Sequence, residues 1–142
     1  MPKKKIKKEK KLDRKYWWNK AWKVFSLYIR ERDNWTCCAC GAKIGETYKN
    51  KILTKKNFHA GHWLEQSLLT KYHELNFSEL NINCQCAVCN LWFEGNKGLY
   101  AEYMISKYGC KIIGILNKKR LDGSILTAED LEKIYNKYKQ LD

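Results

Sequence analysis

Between residues 16 and 32 the apolar side chains return every three or four positions. Trp18, Ala21, Trp22, Phe25, Tyr28 and Ile29 share one face at helical period. The spacing predicts an amphipathic helix whose Trp-rich stripe packs in a core, because apolar surface repeated at that period is stabilised by burial. Trp17 falls off the stripe and is expected to be exposed. KNFHAGHW, over 56–63, and NINCQC, over 81–86, read as extended runs, and the stretch 64–80 between them has no clear period. Helix is expected again from Cys89 through LWFEGN, and from Lys97 to Lys107. Thr127 and Asp130 have the spacing of a capping box. Leu131, Ile134, Tyr135, Tyr138 and Leu141 then mark the apolar face of a last helix.

These elements predict an α+β fold, and 142 residues suffice for one core but not for two independent ones. Three segments follow: a basic arm over 1–15, a central domain over 16–110 and a C-terminal helical extension over 111–142. The arm holds nine basic and two acidic residues. Like charges at that density favour disorder, either as a solubilising tail or as a phosphate-binding arm. The net charge of +13 favours a polyanionic partner, although charge by itself does not separate nucleic acid from an anionic membrane surface. No run of about 18 apolar residues suggests a membrane span, and no apolar stretch in residues 1–15 suggests a signal peptide, so a cytoplasmic protein is expected.

The seven cysteines are odd in number and accompany no secretion signal, which turns attention from disulfides to metal. Cys37-x-x-Cys40 and Cys86-x-x-Cys89 have the gap that lets two thiolates face one ion, and together they supply the four ligands of a structural Zn²⁺ site. Pairings of Cys38 with Cys40, or of Cys84 with Cys86, enclose one residue and suit a knuckle less well. Gly41 follows the first pair where a turn often needs positive φ. Cys38, Cys84 and Cys110 are left over, and are expected to be small buried residues.

Between the two cysteine pairs lies His59-Ala60-Gly61-His62; Asn81 precedes the second pair and Asn90 follows it. Read in order, the pieces are IRERDNWTCCACG, HAGHW, QCAVCN and EGNKGLYAEYMISKYG. Over roughly residues 20–110 this series resembles the HNH, or ββα-metal, nuclease motif set between zinc knuckles, as in endonuclease VII-like resolvases. It resembles more closely the NinG/Rap family of lambdoid-phage recombination proteins. The resemblance implies a metal-dependent endonuclease acting on branched DNA such as a Holliday junction or D-loop. It also implies His62 as the general base, Asn81 as the group that orients its imidazole, and Asn90 as an oxygen ligand of Mg²⁺ or Mn²⁺.

One position departs from the motif. Many HNH enzymes carry Asp or His immediately before the catalytic histidine as the second metal ligand, whereas this chain has Gly61. His59 is the nearest replacement, with Glu65 and Glu94 behind it, and a histidine satisfied by the fold or a fifth neighbour of the zinc site are the alternatives for His59. His73, in TKYHELN, is read as either a DNA contact or a solvated side chain. The lysines over 49–56 and 117–120, with the arm, suit phosphate binding without sequence readout. A homodimer would suit paired cuts across a junction. Two rivals keep the same residues: an HNH nicking or homing-type nuclease on linear duplex, and a non-catalytic zinc-ribbon nucleic-acid-binding protein.

Overall fold

The computed structural model describes the backbone of residues 2–139 and the side chains of residues 13–139. The first helix, α1, runs over Pro2–Arg32. It therefore continues into the segment expected to be a disordered arm. Lys, Glu and Leu are good helix formers, and extending a helix already anchored by its apolar face is far easier than nucleating one. Along the anchored part, Ala21, Phe25 and Ile29 are fully buried. Trp17 is half-buried rather than exposed, its ring 5.6 Å from that of Tyr135.

After α1 the chain makes the first cysteine turn, then a short hairpin of β1 (Thr47–Tyr48) and β2 (Lys51–Ile52) that sequence reasoning did not anticipate. The two extended runs form an antiparallel ribbon of β3 (Phe58–His62) and β4 (Ile82–Cys86). Its register pairs Phe58 with Cys86 and His62 with Ile82. The aperiodic stretch between them contains 3₁₀ turns at Gln66–Leu68 and Glu74–Phe77. A π turn at Val88–Trp92 leads to α2 (Lys97–Tyr108), α3 (Ile112–Asp122) and α4 (Ala128–Tyr138). The result is a mixture of helices and two small sheets.

Three buried clusters hold these elements together. Ala21, Phe25 and Ile29 of α1 meet Phe77, Ile82, and Leu131 and Tyr138 of α4. Leu64 and Leu75 meet Tyr100, Met104 and Leu116 of α2 and α3. Phe58 and Cys84 pack around Cys37, Cys86 and Cys89. The capping box at Thr127 forms as expected: Thr127 Oγ1 accepts from the Asp130 amide at 3.2 Å, and Asp130 Oδ2 accepts from the Thr127 amide at 2.9 Å. Leu141 lies outside the described residues. Among those described, no helix is long and apolar enough to cross a membrane.

The seam between α1 and α4 makes the C-terminal segment part of the same core. Leu131 is 0% exposed there. Leu131→Ala should therefore lower unfolding stability by about 2–5 kcal/mol, seen as an earlier denaturant midpoint at unchanged slope. A loss under about 0.5 kcal/mol, the usual range of surface substitutions, would show that α4 does not contribute to this core.

Candidate functional site

The cysteine pairs are brought together from opposite ends of a long loop. One ligand atom from each of Cys37, Cys40, Cys86 and Cys89 lies within 4.8 Å of every other, and Cys40 Sγ is 3.7 Å from Cys86 Sγ. A tetrahedral Zn²⁺ with bonds near 2.3 Å requires sulfur separations of about 3.8 Å, so the donor set and its spacing could hold a zinc ion. The Cys40 amide points at Cys37 Sγ and the Cys89 amide at Cys86 Sγ, each at 3.5 Å, while Asn96 Nδ2 donates to Cys89 Sγ at 3.4 Å. Such donors favour thiolates. The mutual contact of the Cys37 and Cys86 sulfurs lowers the Cys37 thiol and raises that of Cys86. Gly41 has φ of 77°, as its place after the first pair required.

The three remaining cysteines differ from one another. Cys84 is fully buried, and burial pushes its thiol up to about 12; Cys38 is half-buried and raised for the same reason. Both are packing groups, as expected. Cys110 is exposed, contrary to expectation, because it follows the end of α2 on the outside of the turn into α3.

His62 ends β3 and is enclosed from several sides. Its Nε2 lies 3.1 Å from Asn76 Oδ1. Asn76 is itself pinned, since its Nδ2 donates to the carbonyls of Thr70 at 3.1 Å and Lys71 at 2.9 Å. With the amide fixed, Oδ1 must accept, so Nε2 carries the proton and Nδ1 keeps the lone pair. The Trp22 ring stacks on the imidazole with centroids 5.4 Å apart and an interplanar angle of 26°. Lys97 Nζ donates to the His62 carbonyl at 2.8 Å and also to that of Trp63. Burial first, and the Lys97 charge second, push the His62 ring down to about 4 against the opposing pull of Asn76. The imidazole is therefore neutral at physiological pH.

Asn81 does something other than orient this ring. It is fully buried; its Oδ1 accepts from the Leu64 amide at 2.8 Å, and its Nδ2 donates to the carbonyls of Leu64 at 3.3 Å and Leu75 at 3.1 Å. It clamps the segment that leaves His62, and Asn76 takes the role expected of it. No motif signal marked Asn76, because its partner lies 14 residues away across an aperiodic loop. His73 is neither solvated nor placed for DNA: it is buried, Nδ1 accepts from the Leu75 amide at 3.0 Å and Nε2 donates to the Arg120 carbonyl at 3.1 Å. It fastens the loop to the end of α3.

Asn90 sits on the π turn, where its Nδ2 donates to His59 Nδ1 at 3.0 Å. That bond occupies the His59 lone pair, so His59 supports Asn90 and is not itself placed as a metal ligand. Its half-buried ring is also lowered, by burial first and by Arg30 second. Asn90 Oδ1 makes no hydrogen bond among the described residues, and it is the atom left for a ligand. Asn90, His62, Glu65, Glu94 and Lys97 line one cleft of about 350 Å³. A larger groove of about 550 Å³ is lined by Cys40, Cys86 and Cys89 together with Tyr48, Ile52 and Phe93. Trp92, on the same π turn as Asn90, is 80% exposed.

The family profile described as Bacteriophage Lambda NinG protein matches residues 2–141. Protein ninG of Escherichia phage 933W is 30% identical over 128 residues, covering 89% of this chain and 57% of that protein. Protein ninG of Escherichia phage lambda is also 30% identical over 128 residues, covering 89% and 56%. That of Salmonella phage P22 is 33% identical over 97 residues, covering 68% and 41%. The chain thus spans about half the length of the curated relatives it matches. No solved structure matches it.

Two measurements check this geometry. Elemental analysis should find one zinc per chain, and Cys86→Ser or exhaustive chelation at neutral pH should collapse the melting transition, since ligand binding and folding are linked in such sites. An unchanged melting curve after complete zinc removal would exclude the structural role. In a proton NMR titration the His62 ring should titrate near 4, protonated at Nε2 when neutral. Because the unfolded ring titrates near 6.5, the stability this contributes is complete above that pH and is lost as pH falls from 6.5 towards 4. A folded midpoint near 6.5 would contradict the enclosed ring.

Proposed function

The chain belongs to the bacteriophage lambda NinG family, and from that premise we propose that it is a metal-dependent HNH endonuclease that hydrolyses DNA phosphodiester bonds, with branched DNA as its substrate. The observation that carries this reading is a neutral His62, whose Nε2 proton is committed to Asn76, lining the same cleft as Asn90. Two antiparallel strands followed by a helical turn bearing Asn90 also match the order that a ββα-metal site needs. The cysteine cluster holds β4 and that turn as a scaffold outside the cleft.

In the reaction, His62 Nδ1 accepts the proton of the attacking water, which needs a ring that is neutral beforehand. Asn76 keeps the ring in the required tautomer, and the stacked Trp22 limits its rotation. Asn90 Oδ1 would hold Mg²⁺ or Mn²⁺, and Glu65 and Glu94 line the same cleft with further hard oxygen atoms. When bound, that ion neutralises charge on the scissile phosphate and the leaving 3′ oxygen. The Lys97 ammonium adds positive charge to the cleft while its own donors anchor the chain after His62. Lysines over 49–56 and 117–120 and the basic first fifteen residues would attract the DNA backbone without reading sequence. The exposed Trp92 ring, two residues after Asn90 in the chain, offers a face on which an unpaired base could stack. The choice of branched DNA, and a homodimer making paired cuts, rest on the resemblance to NinG/Rap-like proteins.

The test is cleavage of a synthetic four-way junction and a matched linear duplex in Mg²⁺ or Mn²⁺, with EDTA and a zinc-loaded His62→Ala variant as controls. Metal-dependent cutting confined to the junction, reduced at least about 100-fold in His62→Ala, is the expected result. Equal cutting of both substrates would keep the chemistry and remove the branched-DNA assignment. Tight, salt-sensitive binding with no cutting would favour the zinc-ribbon binding protein.

A further inference from the structure

We propose that Gln85 supplies the ligand that Gly61 lacks, its side-chain Oε1 standing with Asn90 Oδ1 on the divalent cation of the cleft. This rests on the nuclease reading and names a ligand that reading leaves open. Gln85 pairs with His59 across the ribbon, so it projects from the same face as His59 and Gly61. Asn90 reaches that face through its bond to His59 Nδ1. A Cβ built on Gly61 would fall on Gln85 Oε1, so the amide oxygen fills the space an Asp side chain at 61 would enter. Glycine at 61 and glutamine at 85 are thus two halves of one arrangement.

The amide is held in a single orientation. Gln85 Nε2 donates to the Gly95 carbonyl at 2.7 Å, and Gly95 lines the cleft with Asn90 and Glu94. Gln85 is fully buried, and its Oε1 has no hydrogen-bond partner among the described residues. A buried acceptor with no partner is rare in a native fold, because nothing replaces the hydration it gave up. An amide oxygen is also a hard ligand of the kind Mg²⁺ and Mn²⁺ take. An acceptor fixed by Gly95, left unpaired and set where the missing carboxylate would lie, is the group placed to serve as that ligand.

The experiment measures Mn²⁺ binding to the zinc-loaded full chain by electron paramagnetic resonance, with zinc content reporting the fold. Gln85→Ala should weaken Mn²⁺ binding at least about tenfold while zinc is retained, and Gly61→Asp added to Gln85→Ala should restore it to within about threefold. Where Gln85→Ala loses its zinc, Gln85→Glu decides: it keeps Oε1 and should bind Mn²⁺ no more weakly than the parent, and weaker binding overturns the proposal. Mn²⁺ binding unchanged in folded Gln85→Ala but lost in Asn90→Ala would overturn the Gln85 assignment and leave the nuclease reading standing. A parent chain that neither binds Mn²⁺ nor cuts DNA would remove both.

Discussion

Four sulfurs gathered within 4.8 Å of one another close a loop of 45 residues, from Gly41 to Gln85, and every histidine and asparagine at the cleft lies inside that loop or one turn beyond it. Closing a loop of this length is entropically unfavourable for the chain, and no disulfide contributes to it. Thiolates packed this closely repel unless a cation lies between them, so the same feature that joins β4 to the first cysteine turn is one that could hold a zinc ion. Short strands of five residues would otherwise pair marginally.

The ribbon so held has two different faces. On one, His62 is pressed between Trp22 and Asn76, and burial plus a nearby ammonium keep it neutral. The other carries His59, Gly61 and Gln85, with Asn90 added by the π turn. α2 joins the two, because the buried Tyr100 hydroxyl donates to the Gly61 carbonyl at 2.8 Å while Lys97 anchors the carbonyl of His62. Three consecutive residues with positive φ, Glu94, Gly95 and Asn96, make the sharp turn that lets one short segment reach the cleft, Gln85 and Cys89. A turn of this kind explains why EGN follows the second cysteine pair so closely.

Much of the architecture was legible because it is local. The α1 stripe, the two extended runs, the box at Thr127 and the Cys-x-x-Cys turns each depend on residues within a few positions of one another, where backbone geometry alone sets which side chains can meet. Reasoning failed where the partner was remote. The motif assigns Asn81 to the imidazole, yet three backbone groups of Leu64 and Leu75 take both its Nδ2 hydrogens and a lone pair of its Oδ1. His73 looked polar and accessible in sequence, but α3 returns over it. Trp17 is off the α1 stripe and still packs, because α4 arrives beside α1 on that flank.

By itself, the sequence determined the α1 stripe, the two extended runs of the β3–β4 ribbon, the capped start of α4, the four cysteines that come together and the family, all of which are written in short-range spacing of residue types. Only the tertiary structure decided which atoms face one another: Asn76 against His62, Asn90 against His59, and Gln85 Oε1 in the space above Gly61. The reason is physical. Spacing constrains direction over one or two turns, whereas hydrogen-bond satisfaction in a buried site depends on every group that packs there, including those brought in from tens of residues away.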